Sequence, residues 1–185
     1  RINSKFKNQI TTDKKLFEDH IQTINSQIKE ITNLLNSFSD FARMPEPIFL
    51  SNNFFEILEK AILPYKTNYP NILINIQSEL KSEFVKCDKN QIFRLFTNLI
   101  KNSIESILEK KSTSPNIFIY LQEGTNSIDV LFQDSGLGFE TNQLKSVSEP
   151  YFTTKDNGSG LGLSIVSKIV FEHGGTISFY NNDKK

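Results

Sequence analysis

At 185 residues the chain is long enough for one ordinary domain plus an appendage, and 37% hydrophobic residues with 16 Phe suffice for a core. Its 21 basic residues balance 21 acidic ones, which leaves no electrostatic footprint for nucleic acid. The single Cys87 excludes an internal disulfide and suits a reducing compartment. No apolar run approaches the roughly 20 residues that span a bilayer and no signal peptide opens the chain, so it is expected to be soluble.

From Phe17 the apolar residues Phe17, Ile21, Ile24, Ile28, Ile31, Leu35 and Phe38 advance in alternating steps of four and three, a heptad seam. Thr12 or Asp13 is placed to cap this helix, and Pro45 with Pro47 stops it shortly after Arg43. A helix on the order of 45 Å long cannot bury such a seam within one compact domain, so it calls for a partner. Arg1–Phe6 reads as the end of a preceding antiparallel helix and Lys7–Thr11 as the turn, a hairpin able to dimerise into a four-helix bundle. The alternative is a long surface helix packed on its own domain.

Met44-Pro45-Glu46-Pro47 reads as a linker, dividing residues 1–46 from a mixed α and β domain over 47–185. Beyond it a strand is expected at Ile48–Ser51, a helix at Phe54–Leu63, and strands at Ile72–Gln77 and Phe84–Cys87. Asp88 caps the next helix, with Gln91 at the reciprocal capping-box position. That helix carries its apolar face on Ile92, Leu95, Phe96, Leu99 and Ile107. Asn98 and Asn102, four apart, share a face. Asparagine is a poor helix former, and an amide oxygen is a hard neutral ligand suited to Mg²⁺; two solvated amides are the plainer alternative.

Asn116–Gln122 and Ser127–Gln133 alternate apolar and polar around the turn-like Glu123–Asn126, a hairpin pattern. The second strand ends in Gln133-Asp134-Ser135-Gly136-Leu137-Gly138. There an acceptor-only carboxylate can take a proton from an exocyclic amine such as that of adenine, and glycines let the turn run beneath a ring. Glu149-Pro150-Tyr151-Phe152-Thr153-Thr154-Lys155 follows within a stretch, Glu140–Asn157, that reads as a mobile lid. Asn157-Gly158-Ser159-Gly160-Leu161-Gly162 then leads into a helix from Gly160 to about His173. The spacing Gly-x-Gly-x-Gly fits neither the dinucleotide-binding fingerprint nor the P-loop. Thr176–Tyr180 reads as a closing strand.

In this order, the Asn-x-x-x-Asn helix, the Asp-x-Gly-x-Gly turn, Pro-Tyr-Phe-Thr-Thr-Lys and Gly-x-Gly-x-Gly resemble the catalytic ATP-binding domain of bacterial sensor histidine kinases, with the Bergerat-type fold shared with gyrase and Hsp90. Ser39-Asp40-Phe41-Ala42-Arg43-Met44-Pro45 resembles the corresponding junction in nitrogen-regulation kinases of the NtrY type. The resemblance implies an α+β, two-layer sandwich with a mixed sheet and helices on one face, preceded by a long helical-hairpin dimerisation segment. It further implies ATP and Mg²⁺ as cofactors, with Asn102 on the metal and Asn98 on the phosphates or their waters. Asp134 would read the adenine amine, with Gly136 and Gly138 admitting the ring. Phe152 and Lys155 would belong to the lid, Lys155 near the terminal phosphate. Gly158, Gly160, Leu161 and Gly162 would close over the phosphates.

The activity implied is phosphoryl transfer from ATP to a histidine and onward to an aspartate of a response regulator, in a homodimer joined through the N-terminal helices. A full-length protein is expected to be anchored in the inner membrane upstream, with this part facing the cytoplasm. The family's acceptor motif, a histidine followed by an acidic residue and then Asn-Pro, is not found: His20 reads as a seam-side or surface residue and His173 as a helix end. The chain is therefore expected to start after the acceptor, to bind ATP without phosphorylating itself, and to stop short of the last strand, which leaves a sheet edge unpaired. Gyrase-like and Hsp90-like hydrolases place a glutamate base one turn before the metal asparagine, where this chain has Asn98, which cannot abstract a proton. A scaffold that has lost nucleotide binding is the other rival.

Overall fold

A computed structural model describes residues 13–155 and 158–181. They divide into two compact units. One holds the N-terminal segment to Met44 together with Lys155–Ser159, and the other holds Pro45–Thr154 and the chain from Gly160 onward. The proposed first helix of the hairpin, Arg1–Phe6, its turn and Thr12 lie outside the described residues.

In the first unit, helix α1 runs over Lys14–Ala42. Asp13 stands at its N-cap but in the left-handed region (φ 58) and its side chain caps nothing, a correction to the Asp13 alternative: in that conformation the carboxylate is not aimed at the first free N–H groups. Phe17 and Ile21 are half-buried, whereas Ile24, Ile28, Ile31, Leu35 and Phe38 are exposed. His20 is a surface residue.

The second unit starts with strand β1 (Leu50–Asn53), then α2 (Phe54–Asn68), β2 (Leu73–Ser78), β3 (Phe84–Cys87), α3 (Lys89–Lys110), β4 (Asn116–Glu123), β5 (Ile128–Asp134) and α4 (Gly162–Glu172). β2 and β4 pair in parallel and β4 and β5 antiparallel, giving a mixed sheet in the order β2-β4-β5; β1 and β3 form a separate antiparallel pair. α2 packs on α3 and α3 on α4, and α3 also meets β4. The core holds Leu58, Ala61, Phe96, Ile100, Val166 and Ile169 of these helices and Ile117, Ile119 and Leu121 of β4, all fully buried. Alternation along β4 places those three on one face.

Several boundaries differ from expectation for local reasons. β1 lies two residues later than Ile48–Ser51, because its ladder is set by β3, with Leu50 opposite Cys87. α2 continues past Leu63 through Pro64. Pro64 and Lys60 are both exposed, so the carbonyl that loses its helical donor can be hydrated. On α3, Ile100 and Ile104 are buried in the core while Leu99 is only half-buried.

Asp88 caps α3 as expected, accepting from the N–H groups of Asn90 (2.9 Å) and Gln91 (3.0 Å). Gln91, however, does not return the bond: its Nε2 donates to the Pro45 carbonyl at 3.0 Å, and the Asp88 N–H goes to His173 Nε2 at 3.1 Å. With Nε2 accepting, Nδ1 is the nitrogen that donates to the Ile169 carbonyl at 2.8 Å. Asp88 Oδ2 also accepts from the Ile48 N–H at 2.8 Å. Burial alone would raise the Asp88 carboxyl. The N–H groups of Ile48, Gln91 and Asn90 and the neighbouring His173 outweigh it and hold the carboxyl below its ordinary value.

Thr176–Tyr180 forms no strand. Its alternation is strand-like, but no ladder is made there; the Asn181 side chain instead pairs with both backbone groups of Phe139, accepting from its N–H at 2.9 Å and donating to its carbonyl at 2.6 Å. α4 begins at Gly162 rather than Gly160, because Gly160 adopts φ +65.

Candidate functional site

Helix α3 organises the site. Its strong cap at Asp88 and its buried face fix its axis, so the side chains opposite the core are presented at set heights, about 6 Å apart for every four residues. Asn98 and Asn102 are both half-buried. The Asn98 Nδ2 donates to the Arg94 carbonyl at 2.7 Å, which turns Oδ1 outward. Asn102 makes no hydrogen bond among the described residues, an amide left with its full donor and acceptor capacity.

The start of α4 faces these two amides. A Cβ added to Gly162 would lie 3.1 Å from Asn102 Nδ2 and 3.5 Å from Asn98 Oδ1. A glycine here lets the first turn of the helix approach the asparagines. Among the described residues no side-chain cap is made at the start of α4 and its first turn has no acidic residue, so the helix brings its positive end here. A helix N-terminus beside two amides suits a phosphate chain. Mg²⁺ keeps several waters and takes few protein ligands when phosphates supply the rest, so one amide oxygen suffices. The described residues hold no group of three or more His, Cys, Asp or Glu able to bind a metal by themselves.

At the other end of the site Asp134 closes β5. Its Oδ2 accepts from Ser103 Oγ at 2.7 Å and its Oδ1 from the Gly136 N–H at 2.8 Å. Ser106 Oγ accepts from the Leu137 N–H at 2.8 Å, and Lys110 Nζ donates to the carbonyls of Ser135 and Gly136, both at 2.9 Å. A Cβ on Gly136 would sit 2.7 Å from Ser106 Cβ, so only glycine lets the turn lie this close to α3. Gly138, at φ +73, leaves room for the Asn181 amide.

Between the two halves, residues 141–151 form a succession of turns in which Gln143, Ser146, Glu149 and Phe152 each donate to the carbonyl three residues back. Val147 anchors the run, 2% exposed. The segment read as a lid thus has local order as far as Tyr151. There a clasp is formed: Tyr151 N–H donates to the Gly160 carbonyl at 3.0 Å. Gly160 lies so near that an added Cβ would be 2.6 Å from the Tyr151 oxygen. Tyr151 itself takes φ 69, an unfavourable region for a residue with a Cβ.

The structure thus brings together Asn98, Asn102 and Gly162, and separately Asp134, Gly136 and Gly138, with α3 spanning both groups. Leu161 is buried beneath the start of α4 and Phe152 is half-buried just after the clasp. Lys155 and Gly158 fall in the other compact unit, where the Gly158 N–H donates to the Lys155 carbonyl at 3.2 Å. The sequence reading missed Ser103, Ser106 and Lys110. A signal was present, since Ser106 and Lys110 continue the fourfold step that begins with Asn98 and Asn102.

The chain belongs to the family described as histidine kinase-, DNA gyrase B-, and HSP90-like ATPase, whose profile matches residues 87–185. It is 30% identical over 184 residues to the nitrogen regulation protein NtrY of Azorhizobium caulinodans, an alignment covering 96% of this chain and 23% of that protein. It therefore spans about a quarter of that relative's length. Among solved structures, the catalytic domain of the histidine kinase ThkA in a nucleotide-free form is similar with TM-score 0.65 and 27% identity, covering 74% of this chain and 89% of that one. A structure of ThkA in complex with the response regulator protein TrrA matches with TM-score 0.73 and 21% identity, covering 97% of this chain and 52% of that one. At that identity the second likeness speaks for the fold alone.

Proposed function

We propose that this chain is the ATP-binding catalytic part of a sensor histidine kinase of the NtrY type. In this reading it transfers the terminal phosphoryl group of ATP to a histidine of a dimerisation domain, for relay to a response-regulator aspartate. The observation that carries it is the placement of Gly162, at the positive start of α4, against the amides of Asn98 and Asn102. That arrangement offers hydrogen bonds and partial positive charge to phosphates but no general base. Asn98 stands where a hydrolase of this fold would need a carboxylate, which favours transfer to a protein acceptor over hydrolysis.

Asn102 would hold Mg²⁺, which when bound supplies charge neutralisation to the phosphates. Asn98 and the first N–H groups of α4 would orient the phosphates or their waters. Lys155 would neutralise charge at the terminal phosphate, and Phe152, Gly158, Gly160 and Leu161 would close the lid around it. Asp134 would accept from the adenine amine, with Gly136 and Gly138 giving the ring its berth. Catalysis of this kind is positioning and electrostatic stabilisation. Residues 1–46 would be part of the dimerisation and phosphotransfer domain, with residues 47–185 as the catalytic domain. The exposed α1 seam supports a homodimer, and the response regulator is a partner of ThkA's kind. No described helix is long and apolar enough to cross a membrane; anchoring upstream belongs to this proposal by its likeness to NtrY.

The test is a calorimetric titration with a non-hydrolysable ATP analogue, with and without Mg²⁺, on wild type and Asn102→Ala. Saturable binding that strengthens with Mg²⁺, and loses that dependence in the variant, is expected. Binding of equal strength with and without the metal in both proteins would remove Asn102 from the metal role. No binding by a folded wild type would favour the scaffold reading.

A further inference from the structure

The bonds around Asp134 are supplied by Gly136 and by Ser103, a residue that the proposed reaction does not use. Ser103 is 4% exposed, and its hydroxyl donates to Oδ2; the Gly136 N–H donates to Oδ1. Each carboxylate oxygen is thereby held by one donor and keeps acceptor capacity elsewhere. The turn that carries the Gly136 donor is itself fixed from α3 by Ser106 on the Leu137 N–H and by Lys110 on the two carbonyls. It is fixed from the sheet as well, where Ser135 Oγ accepts from the Asn116 N–H at 2.9 Å and the Ser135 N–H donates to the Asn116 carbonyl at 3.0 Å. The carboxylate therefore cannot turn about its own bonds without breaking a contact at each oxygen.

We infer that Ser103 and Lys110 are positioning residues that lock the orientation of Asp134 and so set the preference of the site for a 6-aminopurine over a 6-oxopurine. This inference rests on the assignment of Asp134 to the base. A locked acceptor faces one atom of the base edge. An amine at C6 donates to it, whereas a C6 carbonyl sets two acceptors against each other, which leaves buried polar groups unmatched. A 6-oxopurine does carry a donor, its N1–H, one ring atom away. A carboxylate free to swing can reach that donor; one held by Ser103 and the Gly136 turn cannot. Ser103 acts on the carboxylate directly and Lys110 through the turn, so the first has the larger effect. Asn98, Asn102, Ser106 and Lys110 follow one another at every fourth position of α3, so the same rigid helix sets the phosphate end and the base end.

The experiment is calorimetric titration of wild type, Ser103→Ala, Lys110→Met and Lys110→Arg with ADP and with inosine diphosphate, alongside the melting temperature of each protein. Wild type is expected to prefer ADP. Ser103→Ala is expected to lose about fivefold to tenfold in ADP affinity while inosine diphosphate changes little, the scale of one ordinary hydrogen bond. Lys110→Met is expected to shift the same ratio by about twofold to threefold, and Lys110→Arg to restore it. A loss of packing alone would weaken both nucleotides together and leave the ratio unmoved, and that result in both Ser103→Ala and Lys110→Met overturns the inference. So does a wild type that binds the two nucleotides equally. Should Ser103→Ala fail to fold, the exposed Lys110 pair decides. Failure of wild type to bind either nucleotide counts against the assignment of the site itself, a separate result.

Discussion

Along α1, Ile24, Ile28, Ile31, Leu35 and Phe38 keep between 49% and 62% of their surface exposed, whereas along α3 Phe96, Ile100, Ile104 and Ile107 keep 2% or less. Both helices carry an apolar stripe at helical spacing. The stripe of α3 is covered by α2, α4 and the sheet, and its opposite face is thereby free to carry Asn98 and Asn102. Among the described residues of its own compact unit, the stripe of α1 meets no such cover. Periodicity states that a helix has an apolar face; only the elements around it decide whether that face becomes core or contact surface.

The contrast is most severely tested at Phe96, which is fully buried and meets the Phe54 ring edge-on at 5.6 Å between centroids. Phe96→Ala is expected to cost about 3–5 kcal/mol of unfolding free energy in a denaturant titration. A loss below 1 kcal/mol, of the kind found at surface positions, would make α3 no more buried in effect than α1. The converse substitution, Ile28→Ser, should leave the unfolding of the second unit unchanged. It should weaken the proposed dimer by about 1.5–3 kcal/mol for each side chain no longer covered, which sedimentation equilibrium would read. An unchanged dimer, or a monomer in wild type, would return α1 to the status of an unpartnered surface helix.

A finer comparison concerns the helix starts: α1 opens without a side-chain cap and α3 opens on Asp88. Asp88→Ala is expected to cost about 1 kcal/mol. Because the folded state holds this carboxyl below its ordinary value, its contribution is complete above the unfolded value of about 4. The contribution disappears as pH falls through the lower folded value. Wild type and variant should therefore differ at neutral pH and converge in acid. A constant difference across that range would mean that the charge of Asp88 contributes nothing.

What the sequence disclosed divides along the same line. The hairpin of β4 and β5, the Asp88 cap and the Asn98–Asn102 spacing are local patterns, and each is found where its residues place it. The fold class of mixed sheet and covering helices was implied by the resemblance that the ordered motifs carry. What was not legible lies in contacts between distant segments. Gln91 has the right residue for a capping box, but the Pro45 carbonyl competes for its amide and His173 takes its place. Thr176–Tyr180 alternates as a strand should, yet a strand needs a ladder partner and the nearby bond is made by Asn181. Ser103, Ser106 and Lys110 look like ordinary polar positions until the turn after β5 is folded against them.

The Tyr151–Gly160 clasp can also be considered as polymer physics. It ties the chain into a closed ring whose two ends are fixed by one backbone hydrogen bond and by a glycine that admits no side chain. The entropy of closing such a ring grows only logarithmically with contour length, about 0.6 kcal/mol for each doubling. Residues could be added to the ring at little entropic expense, while a single methyl group at Gly160 would prise it open. Length is thus the tolerant variable of this loop, and the two residues at its neck are the intolerant ones.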